Sequence, residues 1–446
     1  MIDLIWGIGG MALLLLIAFI ASSDRSAINW RTVGGALALQ VSFAVLVLYW
    51  SVGQTALNKL SSGVQAVIDS TNEGIGFVFG PLIPEEGSIF ALQVLPVIIF
   101  FASLTAVLYH LGILQFVVEK LGKGLGRLLG TERAESVNAT ANIFVGQTEA
   151  PLVIKPYVDG LSRSGLFAVM VGGLSTVAGS VLVGYSLLGA PLEYLIAASF
   201  MAAPGALLMA KIIIPETDLA AVQRERELVD SSAAAARRRG RRSSSGGTTS
   251  DTGESVPVDD VESEAEAAEE AQGSRHRNVI DAAANGAGEG LRLAATIGAM
   301  LIAFISLIAL ANLLLGVVGG WFGNGDLTFQ EILGYVFAPL MTAIGIPWNE
   351  AFDAGSFVGQ KVIVNEFVAF ADFAPQIGDY SEKSAAVITF AITGFANLGS
   401  LGILLGGLGG IAPERRPDIA SLGLRAIFAA TLANLMSAAI AGILIG

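Results

Sequence analysis

The sequence predicts an all-α membrane protein with eight transmembrane helices, two re-entrant helical hairpins and interfacial helices, arranged as an inverted repeat. Three observations predict it. Hydrophobic residues make up 53% of the 446 residues and charged residues only 14%, well under the roughly 25% of soluble domains. Apolar runs long enough to cross the roughly 30 Å of a bilayer's hydrocarbon core recur along the chain. Two of the apolar stretches are interrupted by Gly, polar and ionisable side chains in matching order, the mark of paired broken helices. Composition also excludes chemistry. Without cysteine there is no disulfide, thiolate metal site or cysteine nucleophile. His110 and His276 are too few for a histidine-rich metal centre.

Residues 2–22 form the first apolar run. A cleaved signal peptide would carry Lys or Arg before its apolar core, whereas this segment carries Asp3, so the run reads as a span. Asp24, Arg25 and Arg31 mark a short loop, and a second span covers 32–52. Residues 54–88 are amphipathic, with Lys59, Asp69, Glu73, Glu85 and Glu86, and read as a surface helix and loop. The third span covers 90–111. In 115–130 apolar residues recur at three and four, with Lys120, Lys123 and Arg127 between them, which predicts a basic helix lying in the interface.

The stretch 142–157, NIFVGQTEAPLVIKPY, breaks the pattern. Gln147, Thr148 and Glu149 stand among apolar residues, followed by Pro151 and Pro156. A glutamate near bilayer depth costs roughly 2.5–3.5 kcal/mol or more, so such residues usually face a cavity and act there. Broken backbone at that depth survives only against protein or a water-filled site. This is the first hairpin. Spans follow over 165–188 and 192–214. Residues 215–279 carry RRRGRRSSSGGTTSDTGES and VDDVESEAEAAEEA, a composition that predicts a disordered loop. Of the net charge of −13, −5 lies there. A sixth span covers 291–318, and 327–343 is a partly amphipathic helix. The second interrupted stretch is 354–374, AGSFVGQKVIVNEFVAFADFA, with Gly359, Gln360, Asn365 and Glu366. Two final spans cover 385–408 and 421–445.

These elements group into scaffold helices at 1–114, a first transport repeat at 115–214, the loop at 215–279, a further scaffold span at 280–326 and a second transport repeat at 327–446. Basic residues collect after odd-numbered spans: Arg25 and Arg31, then Lys120, Lys123, Arg127 and Arg133, then the arginines at 237–242, then Arg415 and Arg416. The positive-inside rule makes those loops cytoplasmic. The alternation survives only if both interrupted stretches enter and leave on one face, and it places both termini outside. The two halves then match. Each holds a Gly-Gln pair, Gly146-Gln147 and Gly359-Gln360, and a buried glutamate, Glu149 and Glu366. Each has a small-residue break downstream, at 176–184 and 394–402, and 31 residues separate Glu149 from Ser180 and Glu366 from Asn397.

The residue types suit a small polar solute. Gln147 both donates and accepts, which fits an amide-like edge. An ionised Glu366 accepts hydroxyl protons in charge-assisted bonds. Asn397 and Ser400, three apart, share one helical face. Structural readings compete with these: Glu149 and Glu366 as ion-pair partners of Lys155 or Lys361, Asn142 and Thr176 as caps and packing glue, and Phe395 as packing. His110, near a span end, reads as structural.

On three motifs in chain order the sequence resembles the concentrative nucleoside transporter family. GQTEAPLVIKPY resembles that family's first hairpin tip, NEFVAF at 365–370 its second, and GFANLGSLGI at 394–403 its broken seventh span. The resemblance covers 90–214 and 280–446, and the first two spans more loosely. It implies a homotrimer whose scaffold surrounds a mobile transport domain, importing nucleosides, not nucleic-acid polymers, across the plasma membrane. It implies that Gln147, Thr148 and Glu149 face the nucleobase. Glu366, Asn397 and Ser400 would bind the ribose, with Val181 and Phe395 as apolar walls. It implies Na+ as coupling ion, held by Asn142, Val145, Thr176 and Val177, the valines through backbone carbonyls; H+ is the alternative. Thr176 and Gly399 stand where serine is common in the family.

A passive channel and an intramembrane hydrolase using Glu149 and Glu366 are the rival functions. No HExxH or GxSxG motif supports the hydrolase. The composition of 215–279 makes it a linker, so deleting 225–270 leaves transport largely unchanged; loss of uptake in the deletion variant, at equal membrane abundance, would contradict the linker reading.

Overall fold

The computed structural model describes residues 2–84, 89–218 and 277–445. Of the expected loop over 215–279, residues 219–276 lie outside the described residues, as do Glu85 and Glu86. Every regular element among the described residues is helical. The amino-terminal elements are α1 (Ile2–Ile20), α2 (Trp30–Ala44), α3 (Ser51–Phe79) and α4 (Leu95–His110). Asn29 caps α2 by accepting from the amides of Arg31 and Thr32. The expected interfacial helix is α5 (Ile113–Leu129), set off by Gly112 and Gly130 in the left-handed region.

The first hairpin descends through α6 (Arg133–Ala141), turns over 142–149, and returns through a 3-10 turn (Ala150–Ile154) and α7 (Lys155–Val158). Its limb thus begins at Arg133, nine residues before the expected 142. The sequence ESVNATA looks like loop because it is polar. In the fold it is buried, and its hydroxyls turn inward: Ser136 Oγ donates to the Glu132 carbonyl and Thr140 Oγ1 to that of Ser136. The foot of this hairpin is fixed by a buried ion pair, Lys211–Glu135 at 2.8 Å, with Ser164 Oγ also accepting from Lys211 at 3.0 Å. Removing one partner of such a pair costs about 3–5 kcal/mol. The exit is held by Arg415, whose Nη1 donates to the carbonyls of Val158, Asp159 and Leu161.

A broken helix follows: α8 (Arg163–Ser175), a break at 176–178, and α9 (Gly179–Leu188). Then come α10 (Leu192–Ile213) and the 42-residue α11 (Val279–Gly320), capped by Asn278. The interfacial element of the second half is α12 (Phe329–Ala343), opened by a Thr328/Glu331 capping box. A sharp turn of 119° through Gly345, at φ +105, leads into α13 (Trp348–Ile363). With α14 (Glu366–Phe373) it forms the second hairpin, which begins at Trp348, ahead of the expected 354. The second broken helix is α15 (Glu382–Ile392) and α16 (Leu398–Ile411), interrupted at 393–397; α17 (Arg416–Ile445) closes the chain.

Burial sorts these helices into two groups. Of the apolar windows in α8–α9, α10 and α17, 89%, 94% and 78% is buried, against 17% for the window that includes α4 and 6% for α11. The inner three pack on one another, and α10 and α17 also on α15; α4 and α11 pair with each other at the rim. Glycine allows that pairing: a Cβ on Gly286 would come within 2.8 Å of the Ala102 carbonyl, and one on Gly290 within 2.7 Å of Ile99 Cα. By length and composition six helices among the described residues can cross a membrane, or up to seven if α12 and α13 count as one bent span. That count leaves out the first and seventh of the eight expected spans: α1 runs Ile2–Ile20, and the seventh span is divided by its break at 393–397.

The second break needs glycine. Gly394 has φ +130, and a Cβ there would lie 2.7 Å from both Asn434 Oδ1 and the Ser175 carbonyl. Gly394→Ala therefore combines left-handed strain with a clash and destabilises by about 1–3 kcal/mol. Thermal unfolding of the purified protein in detergent checks this; an unchanged melting temperature would contradict it.

Candidate functional site

Each hairpin tip is seated by specific contacts. In the first, the Phe144 carbonyl accepts from the amide of Gly179, the first residue of α9, at 3.3 Å. Gly173 on α8 leaves room for Gln147, since a Cβ there would stand 3.0 Å from Gln147 Cβ. Thr148 packs its methyl against Gly407 on α16. The Gln147 carboxamide is buried, and its Oε1 has no hydrogen-bond partner within the protein. Glu149 is exposed, contrary to the expectation of two buried glutamates. Its carboxylate curls back over Gly146, where a Cβ would meet Oε2.

In the second hairpin the helix restarts at Glu366, and Asn365 caps it by accepting from the Val368 amide at 2.9 Å. Across from it Asn397 caps α16 through its oxygen, accepting from the Ser400 amide at 2.8 Å. That bond orients the carboxamide, leaving Nδ2 to donate to Glu366 Oε2 at 2.8 Å. Glu366 is 5% exposed. It begins α14 and meets the cap of α16, so two helix amino ends flank the carboxylate, the polarity that suits negative charge. Two aromatic contacts brace the same tip: Tyr185 stacks on Phe370 at 4.4 Å and meets Phe367 edge-on at 4.7 Å.

The two broken helices touch at their breaks. The Phe395 amide donates to the Thr176 carbonyl at 3.2 Å, and Asn434 Nδ2 donates to the Ser175 carbonyl at 2.7 Å. These bonds bring both tips to one cavity of about 1250 Å³, lined by Gln147, Thr148, Glu149, Val181, Glu366, Phe395, Asn397 and Ser400 together. Typical small-ligand pockets hold roughly 300–1,000 Å³. The excess is a polar mouth between α4, α5 and α11, lined by Tyr109, His110, Gln115, Glu119, Arg133 and Glu289.

Of the residues implied as an ion site, Asn142, Thr176 and Val177 lie behind the cavity wall and Val145 lines it. Asn142 and Thr176 end α6 and α8. Asn142 Nδ2 is tied to the Asn138 carbonyl at 2.9 Å, whereas its Oδ1 is buried with no hydrogen-bond partner within the protein. Among the described residues the carbonyls of Val145 and Val177 accept no main-chain bond. An unpaired amide oxygen beside unwound carbonyls is the donor set that a hard monovalent cation takes, so the residues fit the group.

The ion-pair alternative fails on this geometry. Among the described residues neither Glu366 nor Glu149 forms an ion pair. Lys361 instead bonds to Asn434 Oδ1 and the Ala391 carbonyl. The two Gly-Gln pairs are not equivalents: Gln147 faces the cavity, while Gln360 braces the second hairpin from inside, donating to Asp372 Oδ2 at 2.7 Å. Sequence alone does not single out the aromatic box of Tyr185, Phe367 and Phe370, nor the mouth. Two aromatics in Glu-Phe-x-x-Phe directly behind Glu366 signal the box; the mouth has no local signal, because its residues come from separate elements. His110, read as structural, lies on that mouth.

Three family models match in chain order. The Na+ dependent nucleoside transporter N-terminus matches residues 9–82, the nucleoside recognition domain 91–192, and the Na+ dependent nucleoside transporter C-terminus 194–442. The chain is 49% identical to an uncharacterized transporter, YutK, of Bacillus subtilis, over 99% of this chain and all of that protein. It is 44% identical to the nucleoside permease NupC of Helicobacter pylori, covering 99% and 98% of the two chains. Among solved structures it is similar to CNTnw in an inward-facing substrate-bound state, with TM-score 0.84 and 46% identity over 99% of this chain and 98% of that one. An outward-facing state of CNTnw aligns with TM-score 0.85 at 45% identity, over 100% and 98%.

Proposed function

The chain belongs to the Na+-dependent nucleoside transporter family, and we propose that it is a secondary active symporter that imports nucleosides, driven by a sodium gradient, through alternating access. The family is one of transporters and not of enzymes. The observation that carries the reading is the cavity gathering both hairpin tips and both broken helices, with Glu366 held by Asn397 at its inner end. Solved relatives in inward- and outward-facing states support alternating access.

A nucleoside offers an amide-like base edge and two vicinal hydroxyls. Gln147, Thr148 and Glu149 take the base, Gln147 with an acceptor that the protein leaves free. Glu366, Asn397 and Ser400 take the ribose. Asn397 occupies one carboxylate oxygen of Glu366, which leaves acceptor capacity for hydroxyl protons. Val181 and Phe395 are apolar walls for the rings. A site built to pair these hydroxyls rejects sugars that lack them, because its own polar groups would stay unpaired.

Asn142, Thr176 and the carbonyls of Val145 and Val177 would hold sodium, which supplies the driving force. One positive charge moved through 100 mV supplies about 2.3 kcal/mol, enough for roughly a fifty-fold gradient of a neutral solute at about 1.4 kcal/mol per tenfold. The ion ties the first hairpin to the break of α8–α9 and so preorganises the base side of the site, which gives positive coupling. With the basic loops inside, the polar mouth at Arg133 faces the cytoplasm and serves release. The protein works in the plasma membrane as a homotrimer with both termini outside.

Counterflow of radiolabelled uridine in proteoliposomes, with sodium and pH gradients imposed separately, tests the reading. Sodium alone drives accumulation; uptake that follows only the pH gradient would assign the coupling to protons. Glu366→Gln removes bonds to a charged acceptor worth about 1.5–3 kcal/mol each. Its uridine affinity falls by at least about tenfold, read by calorimetry on folded protein; near-normal affinity would count against the ribose role. Asn142→Ala raises the sodium concentration needed for half-maximal uptake, and an unshifted sodium curve would remove Asn142 from the ion site.

A further inference from the structure

The halves of the chain correspond at a fixed offset. Glu149 and Glu366 lie 217 residues apart, as do Ser180 and Asn397. At that offset Thr176 falls on Thr393. Both residues are the C-caps of helices that end at a break. Both fold their hydroxyl back in the same way, Thr176 Oγ1 to the Gly172 carbonyl at 2.9 Å and Thr393 Oγ1 to the Thr389 carbonyl at 2.6 Å. Phe144, in the turn between Asn142 and Val145, falls on Lys361. The place corresponding to the ion site therefore lies between Lys361 on the second hairpin and the end of α15.

A lysine already stands there. Lys361 is wholly buried. Its Nζ donates to Asn434 Oδ1 at 2.7 Å and to the carbonyl of Ala391, two residues before Thr393, at 3.3 Å. A carboxamide oxygen and a main-chain carbonyl at a helix end are the same kinds of oxygen that Asn142 and the unwound valines offer in the first half. Asn434 continues across to the Ser175 carbonyl, adjacent to Thr176. The two places are thus linked through one side chain.

We propose that Lys361 is a tethered cation filling the second half's counterpart of the ion site, so that one exchangeable cation rather than two completes the carrier. The inference rests on the cation coupling proposed above. A tethered charge is present in every state and returns with the hairpin, so it adds nothing to the net charge moved per cycle. It also holds the α15–α16 break in its bent form without waiting for an ion, so Asn397 and Glu366 are positioned before substrate arrives. Lys361 is in this sense a positioning residue that sets stoichiometry, and buried lysines at membrane depth are seldom neutral bystanders.

Linkage makes the count measurable. The dependence of uridine affinity on sodium concentration reports how many ions bind with it. In the wild-type protein a tenfold rise in sodium tightens uridine binding by up to about tenfold, the limit for one linked ion. Lys361→Ser empties the volume beside Asn434 Oδ1 and the Ala391 carbonyl and opens a second cation place, so the same rise tightens binding by up to about a hundredfold. Lys361→Met fills that volume with apolar atoms; uridine binding weakens and keeps the wild-type sodium slope. A Lys361→Ser protein that binds uridine with the wild-type slope would overturn the proposal while leaving sodium coupling intact. Should Lys361→Ser fail to fold, the reversal potential of uridine current in wild-type proteoliposomes decides: one charge per uridine supports the proposal and two overturn it. Wild-type binding indifferent to sodium would remove the coupling reading itself, and this inference with it.

Discussion

Backbone freed by a helix break has to find a partner inside the protein when lipid surrounds the fold, and the rest of this structure follows from how that is met. Both breaks lie where the inner helices cross. The amide of Phe395 answers the carbonyl of Thr176, and the Asn434 amide answers that of Ser175. The first bond joins the two breaks, and the second ties the first break to α17. The contact lies deep among the most buried helices, and Gly394 sits beside it with no room for a Cβ.

The groups that complete the helix ends are also the groups that face the cavity. Asn397 caps α16 and thereby aims its amide at Glu366. Glu366 opens α14 beneath the Asn365 cap. Asn142 ends α6 with its oxygen turned away from any protein donor. Capping fixes these side chains without further support, so a solute meets a prearranged set. On the proposed function, substrate and ion complete a bond network that the helix ends leave partly open, and that is how their binding becomes coupled.

Much of this was legible in the sequence because short motifs carry it. The eight residues expected around the solute do line one cavity, since hairpin tips and breaks are written locally in Gly, Pro and polar runs. What was not legible depends on tertiary packing. The first limb of the first hairpin is polar in sequence and buried in space, because its hydroxyls bond within their own helix. Gln360 matched Gln147 by dipeptide but turns inward to Asp372; the equivalence lies in the 31-residue spacing, not in the Gly-Gln pair. Glu149 resembles Glu366 in type but not in burial. The mouth drew on α4, α5 and α11, whose residues share no motif.

On the proposed function, two half-membrane hairpins deliver Gln147 and Glu366 to opposite ends of one solute. A map of the uridine-bound protein tests it most directly. The expected map shows the ribose hydroxyls within hydrogen-bond distance of Glu366, Asn397 and Ser400, with the base against Gln147 and Thr148. Uridine density elsewhere, or hairpin tips too far apart to share it, would contradict the account.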